Sequence, residues 1–542
     1  MRALTTDQLV SAVVDRGLLP EDTVIRLRQE ARRRRLNVVD LMTAKGRFPS
    51  SAIYCAAAEV RGLPFVDYNR VEPNFDLAKD FPQNLIKRGS AIPVSQSGQR
   101  ITVACACPDD HMLLAEIERR TGMETDQALA EPQALKGAAA TVLAKLTPGN
   151  PVVTDTNPVE ALDRIMKEAY LRRASDIHLD PQPDRLHARI RVDGRLEDIR
   201  IHLPQNQSNA LISRIKVLAG LDIAEQRSAQ DGGFTYDVPS LPDVSIDLRI
   251  ATIATKWGER VTIRILAKET KEFGLPDTGM SPVALNLFKS ALSRPHGMIL
   301  ITGPTGSGKS TTLYAGLREI SRPEINIMTL EDPIESNVPG ISQVQVGGAD
   351  KITFAKGLRS MLRHDPDVLM VGEIRDQETA EVALRAAMTG HLIFSTLHTN
   401  DAASAVTRLM DIGCEPYLIA STLVMVIAQR LVRRLCPHCR VPHPATDNER
   451  QRLRLEEPNA TLFGASEHGC SRCNGTGFQG RIGVFETLCL DKDLQQIITD
   501  QCSQKEWQEA IGMRLTDLRE DGYGKVRDGQ TTLDELLGVA VR

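Results

Sequence analysis

Aromatic residues are scarce. Phenylalanine, tryptophan and tyrosine make up 4% of the chain, with only two tryptophans. So thin a supply argues against a surface of stacking platforms for single-stranded nucleic acid. Net charge is small as well, −4 at neutral pH, so no long-range field draws the chain to polyanions or anionic lipid. Long apolar runs are missing. The longest, Tyr417 to Ala428, is too short to cross a bilayer and reads as a buried helix. The opening Met1-Arg2-Ala3-Leu4-Thr5-Thr6-Asp7-Gln8 has no apolar core of signal-peptide length. A reducing cytoplasm is the expected setting, with any membrane association peripheral and through a partner.

Against that background one stretch stands out. Gly303-Pro304-Thr305-Gly306-Ser307-Gly308-Lys309-Ser310 fits the phosphate-binding loop pattern at every fixed position. The apolar Met298-Ile299-Leu300-Ile301 before it reads as a buried strand, and the residues from Thr311 onward as a helix. Glycines let the backbone curl so that its N–H groups face phosphate oxygens. The helix N-terminus adds partial positive charge. Residues Gly303 to Thr311 are thus the candidate nucleotide-binding set, with Lys309 for the β- and γ-phosphates and Ser310 for Mg²⁺.

At 542 residues the chain is expected to hold several domains, in an α/β fold class. Residues 1–65 read as a helical module and 66–145 as a small α/β domain. Residues 146–157, rich in Pro, Asn and Thr, read as a linker. Residues 158–272 form an α/β unit dense in arginine, including Arg189, Arg191, Arg249, Arg260 and Arg264. Those arginines are either sheet-face charges paired with carboxylates or cations aimed at an anionic ligand. The nucleotide domain spans 282–435, a cysteine-bearing subdomain 436–480, and a helical C-terminal region 481–542.

Within 282–435 three further apolar strands end in polar residues, and ligands bind at that edge of open parallel sheets. Ile325–Leu330 is followed by Glu331-Asp332-Pro333-Ile334-Glu335. Val368–Val371 is followed by Gly372-Glu373-Ile374-Arg375-Asp376. His391–Ser395 is followed by Thr396-Leu397-His398-Thr399. Glycine at 372 displaces the usual magnesium-associated aspartate, which leaves Glu373 as the acidic group there. Glu331, Asp332 and Glu335 compete with it for magnesium and water, because base assignment needs distances. His391 and His398 do not sit at helical i, i+4 spacing and read as polar sensors near the γ-phosphate.

Ten cysteines are present, and four of them form Cys436-Pro437-His438-Cys439 and Cys470-Ser471-Arg472-Cys473. Two such pairs at this separation predict a closed Cys436/Cys439/Cys470/Cys473 tetrathiolate holding Zn²⁺, a structural site rather than a catalytic one.

The run Leu362-Arg363-His364-Asp365-Pro366-Asp367 through Asp376 resembles the signature of the bacterial type II secretion and type IV pilus assembly ATPases. Glu331–Glu335 is similar to that family's aspartate box, and Thr389-Gly390-His391 to Asp401 to its histidine box. Ala174–His178, Arg191–Gly194 and Gly258-Glu259-Arg260 are similar to its preceding domain, and Gly480–Glu486 closes the likeness. His364 stands where the family pattern has glutamine. The resemblance implies a RecA-like P-loop ATPase domain behind a smaller α/β domain and N-terminal α/β modules. It implies a cytoplasmic homo-oligomer, a hexamer, hydrolysing ATP with Mg²⁺ at the cytoplasmic face of the inner membrane. Partners would be a membrane platform protein and a cytoplasmic component of the secretion or pilus machine. It also implies arginines of the preceding domain near ATP, with Arg249, Arg260 and Arg264 the candidates. The tetracysteine element resembles assembly members more than retraction ATPases. Some relatives bind cyclic-di-GMP through the N-terminal region; no clean repeated arginine–glycine signature for it is present. The alternative reading is a nucleic-acid-stimulated P-loop motor with a zinc ribbon, which the acidic balance and scarce aromatics oppose.

Overall fold

Four capped helices open the chain: α1 (Thr6–Asp15), α2 (Glu21–Arg34), α3 (Val38–Gly46) and α4 (Ser50–Arg61). The structure, a computed structural model, describes residues 3–146, 157–183, 185–199, 205–266, 273–347, 352–500, 504–512 and 514–540. Contacts divide it into two compact units, residues 1–267 with 466–477, and residues 268–465 with 478–542.

In the first unit, Thr5 and Gln8 close a reciprocal capping box on α1. Gly62, at φ +66°, ends α4 where a Cβ would be strained. Val13, Leu41 and Ile53 lie fully buried among these helices. The basic run at Arg32 to Arg35 ends α2, and its Arg34 pairs with Glu30 at 2.8 Å and Asp243 at 2.6 Å. A three-stranded sheet follows, from β1 (Ala91–Ser97), β2 (Arg100–Cys105) and β3 (Glu124–Leu129), with helix α5 (Pro132–Leu146) after it. Most of the expected linker, residues 147–156, lies outside the described residues, as do 267–272 at the next expected boundary.

Asn157 then caps α6 (Pro158–Leu171). Strands β4 (Asp176–Pro181), β5 (Leu186–Val192), β6 (Arg195–Ile199), β7 (Gln230–Asp237), β8 (Ser245–Thr255) and β9 (Gly258–Leu266) form one sheet in the order β6-β5-β4-β9-β8-β7. Its pairs are all antiparallel, and alternation is clean. Ile177, Leu179, Leu248, Ile250, Val261 and Ile263 go inward against α6 and the helix Gln205–Leu218, while the positions between them along each strand point outward.

The second unit is built on β10 (Gly297–Thr302), β11 (Ile327–Glu331), β12 (Ser342–Gln345), β13 (Val368–Val371), β14 (Leu392–Leu397), β15 (Leu423–Leu435), β18 (Phe478–Cys489) and β19 (Leu515–Thr516). Their order is β12-β11-β13-β14-β10-β15-β18-β19. The six strands from β12 to β15 run parallel, and β18 and β19 are added antiparallel. Every residue of β10, β13 and β14 is buried, as expected of strands covered on both faces. Helix α7 (Lys309–Ile320) follows β10, and α8 (Gln377–Met388), capped by Asp376, follows β13. A small hairpin, β16 (Val441–Pro444) with β17 (Thr461–Gly464), interrupts the run between β15 and β18.

Two expectations are corrected here. The apolar run at Tyr417 to Ala428 is not one helix: helix Pro416–Thr422 gives way to β15 at Leu423. Val424, Val426 and Ile427 are β-branched, and the central slot beside β10 takes them as strand, since pairing there outweighs local preference. The region 481–542 is not wholly helical either, because β18 runs to Cys489 before the helices Lys492–Thr499 and Leu518–Arg527.

Candidate nucleotide site and thiolate cluster

The parallel strands place four chain segments at one sheet edge. Thr302 ends β10 and leads into the glycine loop, where Gly303, Gly306 and Gly308 all take positive φ. A Cβ at Gly303 would lie 2.5 Å from the Gln429 carbonyl oxygen and 2.7 Å from Ser307 Oγ. Only glycine fits there. Ser307 Oγ is buried with no hydrogen-bond partner among the described residues, and a phosphate oxygen would complete it. The loop therefore fits an anion by both its cradle and its open donor. Lys309 Nζ curls back to donate to the carbonyls of Gly303 (2.8 Å) and Pro304 (3.1 Å). Burial pushes the Lys309 pKa down, while the fields of Glu373 and Glu335 oppose the shift. Ser310 and Thr311 begin α7, both half-buried, and Pro304, Thr305 and Gly306 are exposed.

Thr302 ties the histidine-bearing turn to this loop. Its hydroxyl donates to the Thr399 carbonyl at 2.9 Å, and the Thr399 N–H donates back to it at 2.9 Å. His398, just before, lies exposed with Nε2 3.4 Å from the Glu373 carboxylate. Glu373 is 13% exposed and also pairs with Arg375. Glu331 is held differently. It is 4% exposed and accepts from the Tyr314 hydroxyl, from Thr329 Oγ1 (2.5 Å) and from Gln343 Nε2 (3.0 Å). Three donors make it a brace between α7, β11 and β12. Burial and this carboxylate push the Tyr314 phenol well above its usual range. Glu335 and Asp332 are exposed.

His391 does not join the cluster. It precedes β14 at the level of Gly297, whose N–H donates to its carbonyl at 3.1 Å. Its Nδ1 lies 3.0 Å from the Ala386 carbonyl oxygen. That is the opposite edge of the sheet, about 20 Å of strand from the glycine loop. The expectation that His391 senses the γ-phosphate is thus corrected for a single copy of the chain.

Two residues at the edge were missed by sequence reading, Gln429 and Arg430. Gln429 accepts from Thr312 Oγ1 at 2.8 Å, and Arg430 donates to the Asn400 carbonyl at 2.8 Å. Behind them Glu486 on β18 accepts the Ala402 N–H at 2.6 Å. Burial pushes Glu486 up to about 7. Reading 417–428 as helix hid that β15 delivers this pair beside the loop.

Arg249, Arg260 and Arg264 lie on the outward face of the six-stranded sheet in the first unit. Arg260 pairs with Asp180 (2.9 Å), as does Arg189 (2.7 Å). Arg264 pairs with Asp176 at 3.2 Å. Arg249, opposite Arg264 in register, is exposed. The face is therefore an arginine–aspartate ladder.

The four paired cysteines converge. Their Sγ atoms lie within 4.8 Å of one another. Cys470 and Cys473 Sγ are 3.8 Å apart, which is the tetrahedral edge expected for four thiolates about 2.3 Å from a zinc ion. Cys473 Sγ also accepts the N–H groups of Cys470 (3.1 Å) and Gly477 (3.3 Å), as a thiolate would. The donor set fits a soft divalent metal.

Comparison with known proteins gives the family. Residues 153–538 match the type II/IV secretion system protein family, and residues 61–143 match the MshEN domain. The type II secretion system ATPase E of Vibrio cholerae is 45% identical over 71% of this chain and 76% of its own. The type IV pilus assembly ATPase PilB of Thermus thermophilus is 37% identical over 92% of this chain, which spans 58% of that longer relative. The Legionella pneumophila ATPase DotB shares the fold, with TM-score 0.53 at 23% identity over 73% of this chain and 98% of its own. The chain belongs to the type II/IV secretion system protein family, the family of secretion and pilus-assembly ATPases.

Proposed function

We propose that the chain is a motor ATPase that hydrolyses Mg²⁺–ATP to drive assembly of a pseudopilus or type IV pilus. The observation that carries this reading is the Glu373–His398 pair at the same sheet edge as the glycine loop and Lys309. Phosphoryl transfer to water needs a phosphate cradle, a metal, an oriented water and stabilised charge. Gly303 to Thr311 form the cradle, Lys309 neutralises the phosphates, and Ser310 ligates Mg²⁺. Glu373 orients the attacking water, with His398 fixing its carboxylate. Glu331 supports the floor, and Glu335 is the exposed carboxylate nearest in role to Glu373.

The names of the relatives support both secretion and pilus assembly. In this reading the chain works as a homo-hexamer, with Arg249, Arg260 and Arg264 supplying cations to ATP in the ring. It acts at the cytoplasmic face of the inner membrane, on a platform protein and a cytoplasmic machine component. No helix among the described residues is long and apolar enough to cross a membrane, which fits association through partners. Zn²⁺ in the four-cysteine cluster is structural. Steady-state ATPase assays test the proposal. Lys309→Ala is expected to abolish hydrolysis. Unchanged turnover, or strong stimulation of the native chain by DNA or RNA, would overturn it.

A further inference from the structure

Outside the nucleotide edge, the first unit holds a partly open cavity of about 170 Å³ with several charged groups in its lining. Its walls come from Ser50 at the start of α4, from Tyr68 and Asn69 after it, from α5 and from α6, so most of it straddles the MshEN match and the start of the secretion-family match. Helix α6 supplies most of its charged groups. Ala161, Leu162, Ile165, Met166 and Ala169 face the sheet, while Arg164, Lys167, Glu168 and Arg172 recur at three- and four-residue spacing on the other side.

Cations and carboxylates share the lining: Arg164, Lys167 and Arg172 with Glu131 and Glu168. Arg172, 6% exposed, lies 2.9 Å from Glu168 and 3.6 Å from Glu197, so those groups neutralise one another. Glu131 accepts from Ser50 Oγ at 2.5 Å and from Asn69 Nδ2 at 3.4 Å, and burial pushes it up to about 7. Arg164 feels the field of the Glu168 carboxylate but makes no direct ion pair among the described residues. Its Nε and Nη2 are buried without a hydrogen bond among the described residues, and so is the hydroxyl of Tyr68, another lining residue. Buried guanidinium donors left open are costly, and structures seldom keep them without a ligand or water. The volume is several times what one water needs.

We infer that this cavity is a binding site for a small phosphate-type anion, held by Arg164 and Lys167 with Tyr68 as a hydroxyl donor. Arginine suits a tetrahedral oxyanion because its fork donates two parallel hydrogen bonds. Lysine adds a mobile point charge at the rim. Free phosphate and the phosphate of a small ester share this chemistry. An occupant would bridge α5 to α6, the two helices that flank residues 147–156.

The test is equilibrium dialysis of inorganic phosphate and of glycerol 1-phosphate against the full chain. Lys309→Ala is the background, so that the glycine loop is disabled. Saturable binding is expected, weakened at least about tenfold by adding Arg164→Gln. Lys167→Gln alters a half-exposed side chain and serves as the second variant if R164Q fails to fold. Tighter binding of the ester would point to an organic phosphate, and tighter binding of phosphate to the free ion; either supports the site. No saturable binding, or equal binding by parent and the folded variants, would overturn it.

Discussion

At the residue scale, three carboxylates that look equivalent in sequence have been given different environments. Glu331 is walled in by Tyr314, Thr329 and Gln343, whereas Glu373 keeps some exposure beside His398. Glu335 is open to solvent. Replacing Glu373 by Gln keeps shape and removes the carboxylate proposed to orient the water. Turnover is expected to fall by about 100-fold or more, with ATP binding little changed. Glu331→Gln is expected to lower the melting temperature first, because an amide turns one accepting oxygen into a donor facing other donors. Parallel kinetics and calorimetry on the two variants check the contrast. A Glu373→Gln protein with native turnover would assign the water to another group.

At the scale of elements, β15 and β18 matter beyond their length. Their antiparallel pairing brings Glu486 opposite Ala428, and so behind the turn that carries Asn400 to Ala402. Glu486 is 7% exposed, and burial raises it from the ordinary glutamate range to about 7. A native carboxyl that binds its proton more tightly than the unfolded one stabilises the fold at low pH. That stability is complete below about pH 4.5 and is lost as pH rises through about 7. The full span is on the order of 3 kcal/mol. Glu486→Gln is expected to flatten denaturation stability between pH 5 and 8 relative to the parent. Parallel slopes in the two proteins would show that Glu486 does not titrate in this range.

The thiolate cluster is an element in its own right. Cys436–Cys439 leaves β15, and Cys470–Cys473 precedes β18, so one metal would pin both ends of the excursion that holds β16 and β17. Metal analysis of the purified chain is expected to give about one zinc per chain. Removal by a strong chelator is expected to lower the melting temperature, because a closed site couples binding to folding. A chain that carries no zinc and melts unchanged by chelator would remove the metal from the account.

At the scale of the whole molecule, local signals proved readable wherever residues act through their own neighbours. The glycine loop needed only glycine, lysine and serine at set spacing on a strand and a helix, and β10 and α7 form there. Strands of the arginine-rich unit showed in strict alternation, such as Ile246, Leu248 and Ile250 against Asp247 and Arg249. The four cysteines announced themselves by pairing. Less legible was anything set by the partner of a strand. The run from Tyr417 is apolar in either state, and only the vacant position between β10 and β18 makes its second half a strand.

The sequence by itself determined the chemistry on offer: a phosphate loop, acidic strand ends, a thiolate set and an arginine-bearing sheet. These follow from short-range spacing, which backbone geometry converts directly into local structure. Tertiary structure alone decided which of those groups meet. It sent His391 and His398 to opposite edges of one sheet, closed Glu331 behind three donors, and brought Gln429 and Arg430 to the loop. It also left Arg164 Nε and Nη2 buried beside a cavity with no hydrogen bond among the described residues. Each outcome depends on strand order and burial, and those arise from contacts between residues far apart in the chain.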